Sequence, residues 1–110
     1  IGKSAGLVSQ NSNAIAMGTN AGNNRQKMNA IAIGENSGYY TQGLSAIALG
    51  TNSALSNQQS YSIAIGDESG KIIQGTYSIA IGYQAGILTQ GSDSIAIGNS
   101  SGITKPWKCK

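Results

Sequence analysis

The sequence predicts an all-β fold, a parallel β-solenoid of six to seven 16-residue coils, and three observations carry that prediction. A short motif of small and large aliphatic residues ending in glycine returns every 16 residues. No insertion or deletion breaks this spacing between Ile1 and Gly102. Within the motif the residues alternate with period 2, as in a pleated strand, and not with the 3.6 spacing of a helix. A constant period of this length means that each repeat is one unit stacked on the last.

The elements of one coil can be justified in order. The strand is spelled by Ile15, Ile31, Ile47, Ile63, Ile79 and Ile95, each followed by Ala16, Ala32, Ala48, Ala64, Ala80 or Ala96. A second large residue follows: Met17, Ile33, Leu49, Ile65, Ile81 or Ile97. Ile is β-branched and suits a strand. The strand ends at Gly18, Gly34, Gly50, Gly66, Gly82 and Gly98, a rank to which Gly2 also belongs. Four residues later comes a second glycine rank, Gly6, Gly22, Gly38, Gly70, Gly86 and Gly102, in which Ala54 is the exception. Between the two lie Asn, Ser, Glu, Asp and Gln, so the segment reads as a turn. The return segment carries a glutamine eight residues after the first glycine: Gln10, Gln26, Gln42, Gln58, Gln74 and Gln90. Its amides are expected to form a ladder along the axis. A helix is excluded because two glycines per repeat would each cost about 1 kcal/mol relative to Ala.

Alternation gives each strand two faces, one of large aliphatics and one of alanine. The large pair is expected to point inward and the alanine outward. A 16-residue coil is thin, and two buried aliphatics are little to set against the entropy of ordering it. An outward alanine has no reason to be unvarying unless something approaches it closely. Association of chains about the rod axis, meeting at the alanines, is therefore expected.

The spellings "NAIAMGTNA", "NAIAIGENS", "SAIALGTNS", "YSIAIGDES", "YSIAIGYQA" and "DSIAIGNSS" resemble the head repeats of YadA-type trimeric autotransporter adhesins. The resemblance covers nearly the whole chain, to about Gly102. It implies a left-handed parallel β-roll, trimeric, on an extracellular fibre. It also implies that Ile79, Ile81 and their equivalents fill the roll while Gly82 and its equivalents make the turn. The bacterial repeats are commonly a little shorter, and the "QG" form looks more like versions from fibre or spike proteins of large DNA viruses and phages.

Composition excludes more than it identifies. The chain has 110 residues, no His, one Cys and a net charge of +3. One cysteine, Cys109, cannot make an intrachain disulfide or a cysteine metal site. Without His there is no imidazole base. Asp67 and Glu68 are adjacent in a turn and, as neighbours, point apart. No catalytic residue, metal site or cofactor is expected. Three of the seven cations, Lys105, Lys108 and Lys110, lie at the end, which marks residues 103–110 as a basic tail or cap after a roll of residues 1–102. This is not the clustered basic face of a nucleic-acid binder. No run is apolar enough to span a bilayer. Pro106 is expected to end the roll and Trp107 either to cap it or to lie free. The motif is cut at Ile1–Gly2, so the chain reads as part of a longer one.

Two functions from different classes remain. The first is a structural or adhesive trimeric fibre on a virion or cell surface, contacting a host receptor or other fibre and capsid proteins. The second is a solenoid that binds an ordered surface such as ice, or a glycan-binding head. Ice binding would want a regular Thr rank, whereas the best outer rank reads Lys3, Thr19, Glu35, Thr51, Asp67, Tyr83, Asn99. Tyr39, Tyr40, Tyr61, Tyr77 and Tyr83, with Arg25 and Lys27, are the candidate surface contacts, since exposed Tyr serves interfaces well.

Overall fold

A computed structural model describes residues 1–102; the expectations placed on Pro106, Trp107, Cys109 and the basic tail lie outside the described residues. Each 16-residue repeat winds once, and its Ile-Ala-Ile-type segment pairs in parallel with the same segment of the next repeat. Ten short strands form, and no helix is found among the described residues. They are β1 (Val8–Gln10), β2 (Ile15–Met17), β3 (Asn24–Gln26), β4 (Ile31–Ile33), β5 (Ile47–Leu49), β6 (Ile63–Ile65), β7 (Ile73–Gln74), β8 (Ile79–Ile81), β9 (Thr89–Gln90) and β10 (Ile95–Ile97). One strand from each repeat builds a six-stranded sheet in the order β10-β8-β6-β5-β4-β2. Register is unbroken: Ala16 faces Ala32, Ala32 faces Ala48, and so on to Ala80 and Ala96. The protein is a parallel β-solenoid of about six turns.

The return wall is less regular. β1 pairs with β3 at one end and β7 with β9 at the other. Between them the ladder shrinks to single bridges joining Gln26, Gln42, Gln58 and Gln74.

The inside of the coil reverses the expected faces. Ala32, Ala48, Ala64 and Ala80 are fully buried, while Ile15, Ile33, Ile95 and Ile97 are exposed on the outer side of the sheet. The alanines fill the roll and the large aliphatics cover its outside. The reason is perimeter. The protein measures 37 × 20 × 15 Å, and packed sheets with ordinary side chains between them need about 10 Å from backbone to backbone. A single 16-residue turn encloses too little space for two large aliphatics per layer as well as a glutamine. Its inward positions therefore take small residues: the alanine rank, the rank two before it (Ala30, Ala46, Ser62, Ser78, Ser94), and Ala21, Ser37, Ser53, Ser69 and Ala85 in the turn.

The largest fully buried side chains are the glutamines. Each reaches across the interior from the return wall to the strand wall. Gln26 Nε2 donates to the carbonyls of Ile15 and Ala30, at 2.6 and 3.1 Å. Gln42 repeats this with Ile31 and Ala46, and Gln90 with Ile79 and Ser94. The expected amide ladder forms only in part, with Gln10 donating to Gln26 and Gln58 to Gln74. Backbone carbonyls at the corner of the coil compete for the same N–H groups, and they hold the two walls together.

Two turn glycines show why their ranks differ. Gly66 has φ +122, and a Cβ there would lie 2.8 Å from the Gly82 carbonyl oxygen of the next coil. Gly70 has φ +53, and a Cβ would meet the Gln74 side chain at 2.9 Å. The first neighbour is backbone and cannot give way. The second can, and Ala54 occupies the equivalent place with φ 48.

Candidate functional site

Two outer surfaces carry the residues singled out from sequence. The first is the outside of the six-stranded sheet. Ile15, Ile31, Ile47, Ile63, Ile79 and Ile95 run in register down one line, and Met17, Ile33, Leu49, Ile65, Ile81 and Ile97 down another. Five strand spacings make this apolar stripe about 24 Å long. Stacking half-buries the middle members, and the end members stay open, Ile97 at 60%.

The second surface is the return wall, across the interior from that stripe. Tyr39 and Tyr40 meet edge to face, with ring centroids 4.6 Å apart at 65°. Tyr40 also walls a hollow of about 300 Å³ together with Asn24, Arg25, Thr41, Ser56 and Asn57. A smaller hollow of about 210 Å³, lined by Asn36, Tyr39, Tyr40 and Leu55, shares that aromatic wall. Tyr39, Tyr40 and Arg25 are thus brought together. Lys27 is exposed and lies outside the hollow's lining.

Tyr61 and Tyr77 form a separate pair, stacked at 5.3 Å and nearly parallel at 8°. Both adopt left-handed backbone, φ 61 and 59, at a rank otherwise held by Asn13, Asn29, Ser45 and Asp93. Bulky side chains rarely take that conformation, and the stack repays part of its cost. Tyr83 is exposed in the turn and joins neither pair.

Asn24, Thr41, Ser56 and Asn57 were not singled out from sequence. Their signal is weak: in those two ranks the residue type changes widely from coil to coil, where the inward ranks keep to Ala or Ser, or to Gln.

The turn side chains form their own ladder along the axis. Asn20 donates to Asn36 at 3.1 Å and Asn36 to Asn52 at 3.2 Å. One coil beyond Asn52, Glu68 takes the same place. It accepts from Gln84 Nε2 at 2.9 Å and pairs with Lys71 Nζ at 2.6 Å. The Gln84 hydrogen bond, followed by the one from Lys71, holds the Glu68 carboxyl below its ordinary range. Among the described residues no group of His, Cys, Asp and Glu could hold a metal ion, and no helix is long and apolar enough to cross a membrane.

Small inward ranks, a buried glutamine column and turn glycines fixed by the next coil's backbone define the class: a repeat-built parallel β-solenoid. Within that class, the family model of the YadA head domain repeat matches residues 74–86, with two copies of the repeat. That window, "QGTYSIAIGYQAG", runs from the buried Gln74 through β8 to the second turn glycine. The chain carries YadA head domain repeats in a solenoid of 16-residue coils. No curated protein and no solved structure matches it.

Proposed function

We propose that this chain is a stiff structural and adhesive head module of a surface fibre, on a virion or a cell, in which three copies pack together through their Ile faces. The observation that carries the reading is the outward aliphatic stripe, continuous over six coils. Monomers rarely expose so long an apolar patch, and such patches mark interaction sites. Head domains of the YadA type are trimeric and surface-exposed, and their repeats are structural and adhesive. Three such stripes meeting at one axis would cover one another and leave the three return walls facing outward. This keeps the association expected from sequence but moves it from the alanines to the Ile face. Partners on a host or in a fibre would then meet the outward walls.

Light scattering after size-exclusion chromatography tests the reading. A trimer of the 11.2 kDa chain is expected, and Ile63→Asp with Ile79→Asp should dissociate it. A native mass of one chain, or a trimer indifferent to both substitutions, would overturn it.

A further inference from the structure

We propose that the hollow on the return wall is a binding site for a carboxylated sugar, with Arg25 taking the carboxylate and Tyr40 stacking on the pyranose ring. The site exists because the wall is interrupted there. The return ladder is paired at β1–β3 and at β7–β9, but between them it is reduced to single bridges at the glutamines and isolated backbone bonds such as Tyr40 N–H to the Leu55 carbonyl. The cause is an alternation of backbone. Arg25 and Asn57 are left-handed, φ 58 and 51, while Thr41 between them is not. Strands cannot pair through that mismatch. Among the described residues, neither Thr41 nor Asn57 donates its N–H to a backbone carbonyl.

What lines the gap points to the ligand. Arg25 is exposed and has no carboxylate within salt-bridge distance among the described residues. A guanidinium binds a carboxylate through two parallel hydrogen bonds. With only one cation, the hollow is poorly suited to a phosphate, which collects several donors of charge. Asn24, Asn57, Thr41 and Ser56 offer neutral donors and acceptors of the kind that sugar hydroxyls need. Tyr40, half exposed, presents a flat apolar face beside them. The volume, about 300 Å³, is at the lower end of small-ligand sites. The Gln side chains span the interior between this wall and the strand wall, so packing through the Ile faces would leave the hollow open.

The assignment deepens the adhesive reading by naming a ligand class, and it does not need the trimer. Titrations followed by saturation-transfer NMR would use sialyllactose and a glucuronate-terminated disaccharide, each beside its neutral parent. At least one acidic probe should bind with a Kd in the millimolar range or tighter, with transfer from the Tyr40 ring protons. Arg25→Asn keeps a residue that tolerates left-handed backbone and should weaken acidic-probe binding by about tenfold or more. Arg25→Lys should fall between, and Tyr40→Ala should weaken acidic and neutral sugars alike. Tyr83→Ala, outside the hollow, should change nothing. The proposal is overturned if no acidic probe binds, if neutral parents or inorganic phosphate bind equally well, or if Arg25→Asn binds like wild type. Light scattering on the same samples reports the trimer separately, so either reading can fail alone.

Discussion

Gln58→Glu places a carboxyl where the solenoid has no means of accepting a charge. Gln58 is 1% exposed, and its Nε2 donates to the carbonyls of Ile47 and Ser62, at 2.7 and 3.3 Å, and to Gln74 Oε1 at 3.1 Å. The substitution keeps the shape and replaces that nitrogen by oxygen, so three acceptors face an acceptor. The buried polar residues described are Asn, Ser and Gln, with no cation among them. Protonated, the introduced carboxyl can still donate to one carbonyl; ionised, it donates to none and is desolvated. Its folded-state pKa therefore rises above the unfolded value of about 4.3. The folded chain then holds the proton more tightly than the unfolded chain. The pH-dependent part of the loss is absent below about pH 4 and grows as pH rises, by about 1.4 kcal/mol per pH unit, until the folded-state pKa is passed. Buried acids shift by up to about 3–5 units, so the loss by pH 7 reaches about 4 kcal/mol, a large share of the stability of an ordinary domain. Urea unfolding followed by far-UV circular dichroism from pH 4 to 7 measures it, at one chain concentration because association also shifts stability. The quantity to read is variant minus wild type, since Glu35, Asp67, Glu68 and Asp93 titrate in both. Gln59→Glu, one residue on and exposed, should give a flat difference. A flat difference for Gln58→Glu as well would refute a dry glutamine column.

The two glycine ranks should respond unequally. Gly66→Ala drives a Cβ into the next coil's backbone at φ +122 and should cost more than about 3 kcal/mol or prevent folding. Gly70→Ala meets side chains, of Gln74 and Ala64, and no backbone, and should cost about 1–2 kcal/mol, the ordinary penalty of left-handed backbone; thermal melts of equal depression would contradict the distinction. At the surface, the Glu68 carboxylate is favoured by Gln84 and Lys71, so its contribution is present above the ordinary carboxylate range and is lost as pH falls through its lowered pKa. Glu68→Gln should therefore lessen the loss of stability on acidification, modestly because the pair is solvent-screened, and superimposable acid limbs in urea midpoints from pH 2 to 5 would rule the contribution out.

How the chain folds was legible because the period is fixed, but which face turns inward was not. Alternation at Ile63, Ala64 and Ile65 defines two faces without ordering them, and the general rule that large aliphatics lie inside points the wrong way here. The parity of the neighbouring residues held the answer. Ser62, Ser78 and Ser94 share a face with Ala64, Ala80 and Ala96, and three small ranks that never admit a large residue describe a narrow interior better than an interface. The glutamines were legible as a rank, but their bonding to Ile47-type carbonyls depends on how wide the coil closes. The hollow beside Arg25 was less legible still. Arg25 and Tyr40 stood out as large residues on a small-residue surface, yet their meeting depends on the left-handed backbone of Arg25 and Asn57, and an arginine gives no sign of that.

Strict and variable positions therefore divide by direction, and the division bears on function. An inward position is answerable to the coil above and the coil below, so a change in one layer must be matched in the next. The Ile face is held as strictly in the outward direction, which a solitary solenoid would not require. Apart from the glutamine rank, positions along the return wall are held less strictly, and it is there that Leu7, Asn23, Tyr39, Leu55, Lys71 and Ile87 follow one another in a single rank. A repeat can build length and stiffness from identical coils, but a particular ligand can be recognised only where coils differ. The interruption between β3 and β7 is where they differ most in backbone as well as in side chain, so a specific contact of this rod is to be sought at Arg25 and Tyr40 before anywhere on its regular face.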